Sequence, residues 1–440
     1  MPSAADLAVS TLGPCRIDSP LKPLIASRQT STHYVAEDDR VLFHDTVRLA
    51  AGTGLPIDEL PGFEPAGPRR SIFFDPAKTR VGIVTCGGLC PGLNDVIRGL
   101  VMELSHHYGV QRIHGFRNGY QGFIPRYGHD VLDLTTEGVS DIDEDGGTIL
   151  GTSRGGQDAH EIVDCLERMN VNALFVIGGD GSIRGAMRIA EVVAERGHKI
   201  AVVGIPKTID NDIPYIDQSF GFQTAFGEAA KSIRAAHVEA KASPNGIGLV
   251  KLMGRHSGFI ACYAGLAEPN ANYVLIPEVA FALDGPEGFL AHILDRVRRK
   301  GHAVIVAAEG AGQDLIQAGG AGMDASGNAK LADIGLYLRQ RIADHFDAAG
   351  VECNLKYIDP SYAIRSVAAN PYDSVYCLRL AQNAVHAAMA GRTEMVVGRW
   401  HGRYVHIPMP LAVSHRNQVA VDGDLWLAVL EATGQPRTFR

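Results

Sequence analysis

The segment Pro206–Asp212 reads Pro-Lys-Thr-Ile-Asp-Asn-Asp and directly follows the apolar run Ile200–Gly204. In an extended segment Asp210 and Asp212, being alternate residues, share one face. One carboxylate could accept a proton from an attacking hydroxyl while the other orients that hydroxyl, and Lys207 could neutralise charge on a transferring phosphate. Alignment, positive charge and a base are what phosphoryl transfer requires of a protein. The alternative is a turn rich in Asp and Asn that binds no ligand.

A glycine-rich turn at Gly87–Asn94, Gly-Gly-Leu-Cys-Pro-Gly-Leu-Asn, lies between an apolar run and the helical stretch Asp95–Ser105. Glycines allow close approach of backbone to a ligand, and the N-terminus of the following helix offers free N–H groups to a phosphate. The turn matches neither a Walker loop nor a dinucleotide fingerprint. Phosphate binding and a purely structural strand-to-helix turn therefore both remain open for this motif.

A second glycine-rich turn, Gly178-Gly-Asp-Gly-Ser182, holds Asp180 between glycines at the end of an apolar run. Mg²⁺ binds to a few carboxylates together with water and phosphate oxygens, so a carboxylate at this position suits a hydrated Mg²⁺ beside a polyphosphate. The alternative is that Asp180 only caps the helix predicted over Ile183–Glu195.

Two later segments carry cations that could bind a phosphate. Lys251–Gly258 places Arg255 and His256 near the start of a predicted helix. An arginine there opposes the helix dipole, and a bound anion would relieve that cost, whereas His256 is interpreted as a structural histidine. Lys356–Arg365, which includes Tyr362, is compatible with a second phosphate site or with a solvated loop.

The elements that must position these residues are short apolar runs separated by segments of helical period. Such runs are typical of parallel strands buried on both faces. They predict an open α/β sheet, in which ligands bind beyond the carboxyl ends of the strands. Apart from Lys356–Arg365, the glycine and charged motifs above lie at such ends, as does Glu309. The runs are Val81–Cys86, Ala173–Ile177, Ile200–Gly204, Ile247–Val250 and Ala303–Ala307.

Two regions lack such a period. Residues 1–75 mix Pro, Gly and charged residues and are predicted to pack over the main body or over a neighbouring subunit. Residues 310–330 are rich in Gly and Ala and are predicted to form a mobile surface loop.

Composition limits the class of protein. The 440 residues, 46% hydrophobic and 20% charged, suffice for two lobes with large cores. The net charge of -8 argues against a nucleic-acid or anionic-membrane surface, and we find neither a secretory signal nor an apolar run that could span a bilayer. Seven cysteines indicate free thiols in a reducing compartment, and hence a cytoplasmic protein. Cys86 and Cys90 are not expected to bind a metal, because no second Cys or His pair in the sequence has the spacing of metal ligands.

Four motifs together resemble the 6-phosphofructokinase family, in its order and at its spacing: Gly87–Asn94, Gly178–Ser182, Pro206–Asp212 and Met253–Gly258. The likeness runs from about residue 80 to about residue 391. It is strongest to the branch of plant and trypanosomatid ATP-dependent enzymes, which also carry an N-terminal extension.

The resemblance implies an α/β fold of two Rossmann-like lobes with mainly parallel sheets, and an active site between the lobes. It divides the chain into an N-terminal extension (1–75), a phosphoryl-donor lobe (76–221), a sugar-phosphate lobe (222–363), and a return to the donor lobe with a C-terminal extension (364–440).

The resemblance also implies roles for individual residues. Asp210 would be the base for the sugar 1-hydroxyl, with Lys207, Thr208, Asp212 and Arg255 completing the catalytic group. Asp180 would organise Mg²⁺, the implied cofactor. The donor would be bound by Gly87, Tyr120, Arg154, Asp180, Gly181, Ser182 and Gly185. Fructose 6-phosphate would be bound by Thr208, Asp210, Asp212, Met253, Gly254, Arg255, Glu309, Lys356, Tyr362 and Arg365.

The sequence departs from the familiar bacterial ATP enzymes of this family at four positions. Those enzymes usually have glycine where Lys207 stands, histidine at Tyr362, and arginine at both Lys356 and Gly246. The arginine corresponding to Gly246 normally reaches the sugar phosphate from a neighbouring subunit. Its absence argues against a site shared between subunits, although the family implies a homodimer or homotetramer.

The phosphoryl donor is indicated by position 181. Pyrophosphate-dependent relatives typically carry an aspartate there, which would collide with the α-phosphate of a nucleotide, and Gly181 therefore favours ATP over pyrophosphate. Lys207 occurs with both donors. A silent regulator that binds sugar phosphate or nucleotide is disfavoured, because Asp180 and Asp210 are both present. Sedoheptulose 7-phosphate as a further substrate is compatible with the same residues.

Overall fold

The computed structural model describes residues 2–22, 34–316 and 331–440, and the chain has a mixed α/β fold with mainly parallel sheets. The strands are β1 Ser10–Thr11, β2 Ile17–Asp18, β3 Val41–Leu42, β4 Gly62–Pro65, β5 Ser71–Ile72, β6 Arg80–Thr85, β7 Arg112–Phe116, β8 Val131–Asp133, β9 Ala173–Gly178, β10 Ala201–Pro206, β11 Gly246–Leu252, β12 Tyr273–Leu275, β13 His302–Ala308, β14 Asn354–Ile358, β15 Arg392–Thr393, β16 Met395–Trp400 and β17 Arg403–Pro408.

The α-helices range from one turn to six. They are α1 Val47–Ala51, α2 Leu93–Met102, α3 Ala159–Arg168, α4 Asp180–Glu195, α5 Phe222–Ala242, α6 Phe259–Ala267, α7 Phe289–Lys300, α8 Ile334–Ala348, α9 Ala363–Ser366, α10 Pro371–Met389, α11 Met409–Ala412 and α12 Asp424–Thr433. None of the helices in the described parts of the chain is long and apolar enough to cross a membrane.

The described residues form two units. The first comprises residues 2–22, 34–208, 213–221 and 368–415, and the second comprises residues 209–212, 222–316, 331–367 and 416–440. The loop 209–212 and the C-terminal residues 416–440 both belong to the second unit, whereas the expected division placed 209–212 in the donor lobe and 416–440 with the return to it and the C-terminal extension. The C-terminal segment is held there because the Gln435 side chain bonds the backbone N–H and carbonyl of Val274, and Phe439 packs in the core of that unit.

The first unit is built on a nine-stranded sheet of order β3-β4-β17-β16-β10-β9-β6-β7-β8. Its central pairs, from β16 to β7, are parallel, and the flanking pairs are antiparallel. The three apolar runs predicted for this region are the central strands β6, β9 and β10, each buried along almost its whole length. Burial on both faces explains why their sequences show no polar alternation.

The N-terminal residues complete this sheet. β4 pairs with β17 and β3 pairs with β4, while β1 pairs with β15. Phe63 of β4 is fully buried in the core of the first unit. The described part of the extension therefore packs on the main body, and two-residue strands such as β1 and β3 are too short to show a period in the sequence.

The second unit contains a four-stranded, fully parallel sheet of order β12-β13-β11-β14. The apolar runs predicted at 247–250 and 303–307 are its central strands β11 and β13. Helices α7 and α8 contribute Phe289, Leu338 and Phe346 to a core that packs against these strands. Of the surface loop predicted at 310–330, residues 317–330 lie outside the described residues; Gln313–Leu315 form one short 3-10 turn.

Candidate active site

The carboxyl ends of β6, β9 and β10 are aligned in the first unit. The ladder continues one step beyond the strands, because the N–H of Cys86 donates to the Ile177 carbonyl (2.9 Å) and the N–H of Lys207 donates to the Gly178 carbonyl (3.0 Å). Both glycine-rich turns and the lysine consequently leave the sheet at one edge, as the sequence pattern predicts.

Two cations face the turn that begins at Gly87. Gly87 has a φ of +85, and a Cβ added there would lie 3.4 Å from Lys207 Nζ and 3.8 Å from Ser182 Oγ. A Cβ at Gly88 would lie 3.7 Å from Arg154 Nη2. Two adjoining cations beside a turn that carries no side chain at Gly87 and Gly88 form an arrangement suited to a polyphosphate.

The Gly87 backbone is held in place from both sides. Its N–H donates to the Ser153 carbonyl (3.1 Å), and its carbonyl accepts from Thr152 Oγ1 (2.6 Å). The preceding Cys86 is buried, and burial raises the pKa of its thiol to about 12, so it stays protonated beside the Lys207 ammonium. None of the seven cysteines, each of which lies within the described residues, forms a disulfide.

Asp180 is the first residue of α4, after the N-cap Gly179. Its carboxylate pairs with Arg184 Nε at 3.2 Å, and Arg184 Nη2 also donates to the Val413 carbonyl (2.5 Å). The sequence reasoning did not identify Arg184, although its spacing of four residues from Asp180 is a recognisable helical pair. Asp180 is thus oriented by a partner as well as being at the helix start.

The position of the Asp180 carboxylate suits a magnesium ligand. Its side chain is 36% exposed and lies at the edge where the polyphosphate-suited turns meet. Within the described ranges, no group of three or more His, Cys, Asp or Glu side chains could hold a metal ion. A single carboxylate suits Mg²⁺, which keeps several waters and takes its other ligands from phosphate.

The glycines at the start of α4 differ in their surroundings. A Cβ at Gly178 would lie 2.5 Å from Ser182 Oγ, and a Cβ at Gly185 would lie 2.7 Å from the Tyr120 ring. Tyr120 is buried, which raises its pKa, and its hydroxyl donates to the Ser182 carbonyl (2.5 Å). Gly185 and Tyr120 therefore pack against each other and support the turn. By contrast, a Cβ at Gly181 would meet none of the described atoms within 4 Å.

In the second unit, the loop 209–212 does not follow the extended geometry that the sequence reasoning considered. Asn211, between the two aspartates, has a φ of 57, in the left-handed region. Asp210 and Asp212 are both partly buried, and the Asp212 carbonyl accepts from the N–H of Asn417 (2.8 Å). Because the chain turns at Asn211, alternation along a strand does not decide where these two side chains point.

The turn after β11 carries Met253, Gly254 and Arg255. Gly254 has a φ of +123, and a Cβ there would lie 2.6 Å from the Ser257 carbonyl oxygen. The Gly254 carbonyl accepts from the N–H of Gly310 (3.1 Å), which ties this turn to the end of β13. His256 lies in this loop before α6, where burial and the charges of Arg416 and Arg255 lower its pKa against the opposing charge of Asp212.

Glu309 follows β13, and its N–H donates to the Leu252 carbonyl (2.8 Å). Burial raises the pKa of Glu309, and the charges of Arg255, Lys251 and Arg365 oppose this rise while Asp359 adds to it. Glu309 and Arg255, predicted from separate motifs, therefore share one electrostatic environment in this unit.

The remaining predicted sugar-side residues lie on β14 and α9. Lys356 is exposed on β14, opposite Gly248 of β11. Tyr362 is 77% exposed, and the Arg365 guanidinium lies over its ring, 4.7 Å from the centroid. The sequence reasoning missed Lys251, which pairs with Asp359 and Asp333 beside this segment.

Gly246 begins β11, and its surroundings explain why no arginine occupies this position. A Cβ at Gly246 would lie 2.0 Å from the Ala240 carbonyl oxygen. The end of α5 packs on the strand so closely that no side chain fits there.

The chain is similar to known proteins over most of its length. The protein family described as Phosphofructokinase matches residues 80–388. An ATP-dependent 6-phosphofructokinase from Amycolatopsis methanolica is 60% identical over 440 residues, covering 99% of this chain and 96% of that protein. ATP-dependent 6-phosphofructokinase 7 from Arabidopsis thaliana is 51% identical over 376 residues, covering 85% of this chain and 77% of that protein.

Among solved structures, a pyrophosphate-dependent phosphofructokinase from Marinobacter aquaeolei has a TM-score of 0.66 at 20% sequence identity, covering 82% of this chain and 93% of that one. This likeness concerns the fold.

Proposed function

This chain belongs to the phosphofructokinase family and is a phosphotransferase, and we propose that it transfers the γ-phosphoryl group of ATP to the 1-hydroxyl of fructose 6-phosphate. The products are ADP and fructose 1,6-bisphosphate, so the proposed place of the enzyme is glycolysis. Relatives named ATP-dependent 6-phosphofructokinase, similar to this chain over nearly its full length, support this proposal.

The observation that carries the choice of ATP is the space at Gly181. A Cβ added there would meet none of the described atoms within 4 Å, which supports room beside the turn for the α-phosphate of a nucleotide. An aspartate at this position would place a negative charge in the same space and repel that phosphate. The Lys207 ammonium and the Arg154 guanidinium, which both face the Gly87–Gly88 turn, would bind the β- and γ-phosphates.

The second unit would supply the sugar phosphate residues. We assign the 6-phosphate to Arg255, Lys356 and Arg365, because these three cations occur in one unit and none of them is buried. Tyr362 and Glu309 would contact the sugar, as would the backbone of Met253 and Gly254. Asp212 would bind near the reacting hydroxyl, as would Thr208, which belongs to the first unit.

In the proposed mechanism, Asp210 accepts the proton of the 1-hydroxyl as its oxygen attacks the γ-phosphorus. Lys207 neutralises charge that develops on the transferred group, and the other cations hold the donor and acceptor in line. Mg²⁺, which Asp180 would hold, supplies further positive charge beside the polyphosphate when bound. Arg184 would keep the Asp180 carboxylate oriented.

A donor panel tests the proposal. Purified protein is assayed for fructose 1,6-bisphosphate formation with ATP or with pyrophosphate, each with Mg²⁺. We expect turnover with ATP and little with pyrophosphate. Turnover with pyrophosphate alone would refute the ATP assignment, and the absence of turnover with either donor, together with retained binding of sugar phosphate, would identify a silent regulator.

The Gly181→Asp variant makes the panel sharper. The added carboxylate should raise the KM for ATP by roughly 5- to 30-fold, since a like charge beside the α-phosphate is worth on the order of 1–2 kcal/mol. Pyrophosphate has no α-phosphate of a nucleotide, so the variant should not lose any pyrophosphate activity that the parent has. Gly227→Asp, at another glycine where an added Cβ meets no described atom within 4 Å, is the matched control.

A further inference from the structure

Lys251 is an unusual residue for its position, a lysine in the central strand β11 of a parallel sheet. Its neighbours Val250 and Leu252 are fully buried, and only 12% of the Lys251 side chain is exposed. An ammonium group in such a place requires compensation, because removing a charge from water is costly unless the charge is paired.

Two carboxylates provide that compensation. Lys251 Nζ lies 2.9 Å from Asp333 Oδ2 and 2.8 Å from Asp359 Oδ2. Although burial by itself would lower the pKa of Lys251, the hydrogen bonds to Asp359 and Asp333 raise it above its ordinary value. The lysine therefore stays charged at neutral pH, and the pairs persist.

One of the two carboxylates is fixed independently of Lys251. Asp333 is the N-cap of α8, where Oδ1 accepts from the N–H of Leu336 (3.0 Å) and from the hydroxyl of Tyr357 (3.1 Å). Gly335 permits this contact, because a Cβ there would lie 2.5 Å from the Tyr357 hydroxyl. The Asp333 carboxylate is thus held at the start of α8 by these hydrogen bonds, and it in turn holds the Lys251 ammonium.

The other carboxylate begins the segment that carries the proposed sugar-phosphate residues. Asp359 directly follows β14, and its Oδ1 accepts from both the N–H (3.1 Å) and the Oγ (2.5 Å) of Ser361. Ser361 leads into Tyr362 and into the single-turn helix α9, which carries Arg365. Without Lys251, Asp359 would still bond Ser361 but would lack the ion pair that links it to β11.

We propose that Lys251 is a positioning residue for fructose 6-phosphate: by linking Asp333 to Asp359, it sets the place of Ser361 and hence of Tyr362 and Arg365. The inference rests on the proposed function, which assigns the sugar phosphate to that segment. Lys251 itself does not contact the substrate in this proposal. A half-exposed segment such as α9 has little core of its own, so its position depends on ties of this kind.

The test compares Lys251→Met with Lys251→Arg in steady-state kinetics. Methionine keeps the apolar stem and removes the charge, and it should raise the KM for fructose 6-phosphate by roughly 10- to 100-fold, the range expected for losing a charged hydrogen bond. The KM for ATP and kcat should stay within about threefold of the parent values, because the donor residues are in the first unit. Arginine can bond both carboxylates and should recover most of the affinity.

Controls separate this role from a general loss of structure and from failure of the proposed function. Lys300→Met removes an exposed lysine at the end of α7 in the same unit and should leave both KM values unchanged. Its turnover, with that of the parent protein, tests the proposed function by itself. Thermal unfolding of each variant shows whether the fold is retained.

If Lys251→Met does not fold, Asp359→Asn decides the matter. Asparagine keeps the shape and one acceptor for Ser361 but weakens the pair with Lys251, so the KM for fructose 6-phosphate should rise by at least several-fold with the KM for ATP unchanged. The proposal is overturned if the sugar KM stays within twofold of the parent in the folded variant tested, or if both KM values and kcat change by the same factor.

Discussion

In the first unit the ends of β6 and β9 lead into glycine-rich turns and the end of β10 leads into Lys207. In the second unit the ends of β11, β13 and β14 lead into the charged residues Arg255, Glu309 and Asp359. At the first edge Gly87 leaves room for the Lys207 ammonium, and the space at Gly181 is open. The second edge is organised by ion pairs, in which Lys251 joins Asp333 and Asp359.

This difference matches the chemistry of the two ligands that we propose. A polyphosphate is long and carries charge along its length, so it is bound best where side chains are absent and N–H groups are accessible. A sugar phosphate carries its charge at one end, so its recognition requires a few cations held at definite positions. Substitutions at one edge should therefore change the binding of one ligand and leave that of the other nearly unchanged.

Asp210→Asn should have the largest effect. Asparagine cannot accept the proton of the 1-hydroxyl, so kcat should fall by roughly 10²- to 10⁴-fold or more, while the binding of both substrates is largely kept. Asp344→Asn, on the exposed face of α8, is the matched control. An unchanged kcat would remove Asp210 from the mechanism, and a large rise in one KM would assign it to that edge as a binding residue.

Glu64→Gln should have the next largest effect, on stability. Burial by itself would raise the pKa of Glu64. This pKa is instead held at about 2, compared with 4.5, by the hydrogen bond from His406 and by the charges of His406, Arg392 and Arg69. The Glu64 carboxylate therefore contributes stability at pH values above its pKa in the unfolded chain. This stability is lost as the pH falls toward its lower pKa in the folded protein. We expect the variant to lose on the order of 3 kcal/mol at pH 7, measured by denaturant unfolding, and much less near pH 3.

Glu309→Gln tests a carboxyl in the second unit whose pKa is shifted in the opposite direction from that of Glu64. Burial raises the pKa of Glu309, so ionisation of this group costs stability as the pH rises through the raised pKa. The variant should lack this pH-dependent loss and should be as stable as the parent, or more stable, at neutral pH, while its KM for fructose 6-phosphate rises. A loss of stability at neutral pH like that of Glu64→Gln would contradict the contrast between these two carboxylates.

Gly178→Ala and Gly181→Ala test the first edge, and their expected effects are of intermediate size. A methyl group at Gly178 would meet Ser182 Cβ at 2.3 Å, and such overpacking costs about 1–3 kcal/mol. The methyl group at Gly181 meets no described atom, and alanine favours a helix by up to about 1 kcal/mol, so this variant should be at least as stable as the parent. Equal losses in denaturant unfolding would show that the space at Gly181 is not open.

Tyr120→Phe should have the smallest effect. It removes the hydrogen bond to the Ser182 carbonyl, which is worth about 0.5–1.5 kcal/mol. The KM for ATP should rise by no more than roughly tenfold, with the sugar KM unchanged. Tyr362→Phe is the corresponding change in the second unit, where the ring can remain over Arg365, and it should leave the KM for ATP unchanged.

Much of the fold could be predicted from local composition. All five apolar runs are central strands, and the glycine or charged residues that follow them do lie at strand ends. The prediction was less complete for short or exposed elements. Two-residue strands of the extension have no period, and the segment 416–440 joins the second unit through single contacts such as that of Gln435 with Val274.

The candidate site was predicted in part for the same reason. Glycines and charges at strand ends stand out in a sequence, but Lys251 reads there as one lysine before Met253-Gly-Arg. Its carboxylate partners lie far along the chain, with Asp333 separated from it by 82 positions. Arg184 was also missed, although its partner Asp180 is only one helical turn away.

The sequence by itself determined where the buried strands lie and which turns must be free of side chains, because burial on both faces and close backbone approach restrict the residues locally. Only the tertiary structure decided which carboxylate pairs with which cation and that the chain turns at Asn211, since both depend on strand register and packing between residues distant in the chain. Lys251 illustrates the division: its type is visible in the sequence, but its partners are brought to it by the parallel pairing of β11 with β14 and by the start of α8.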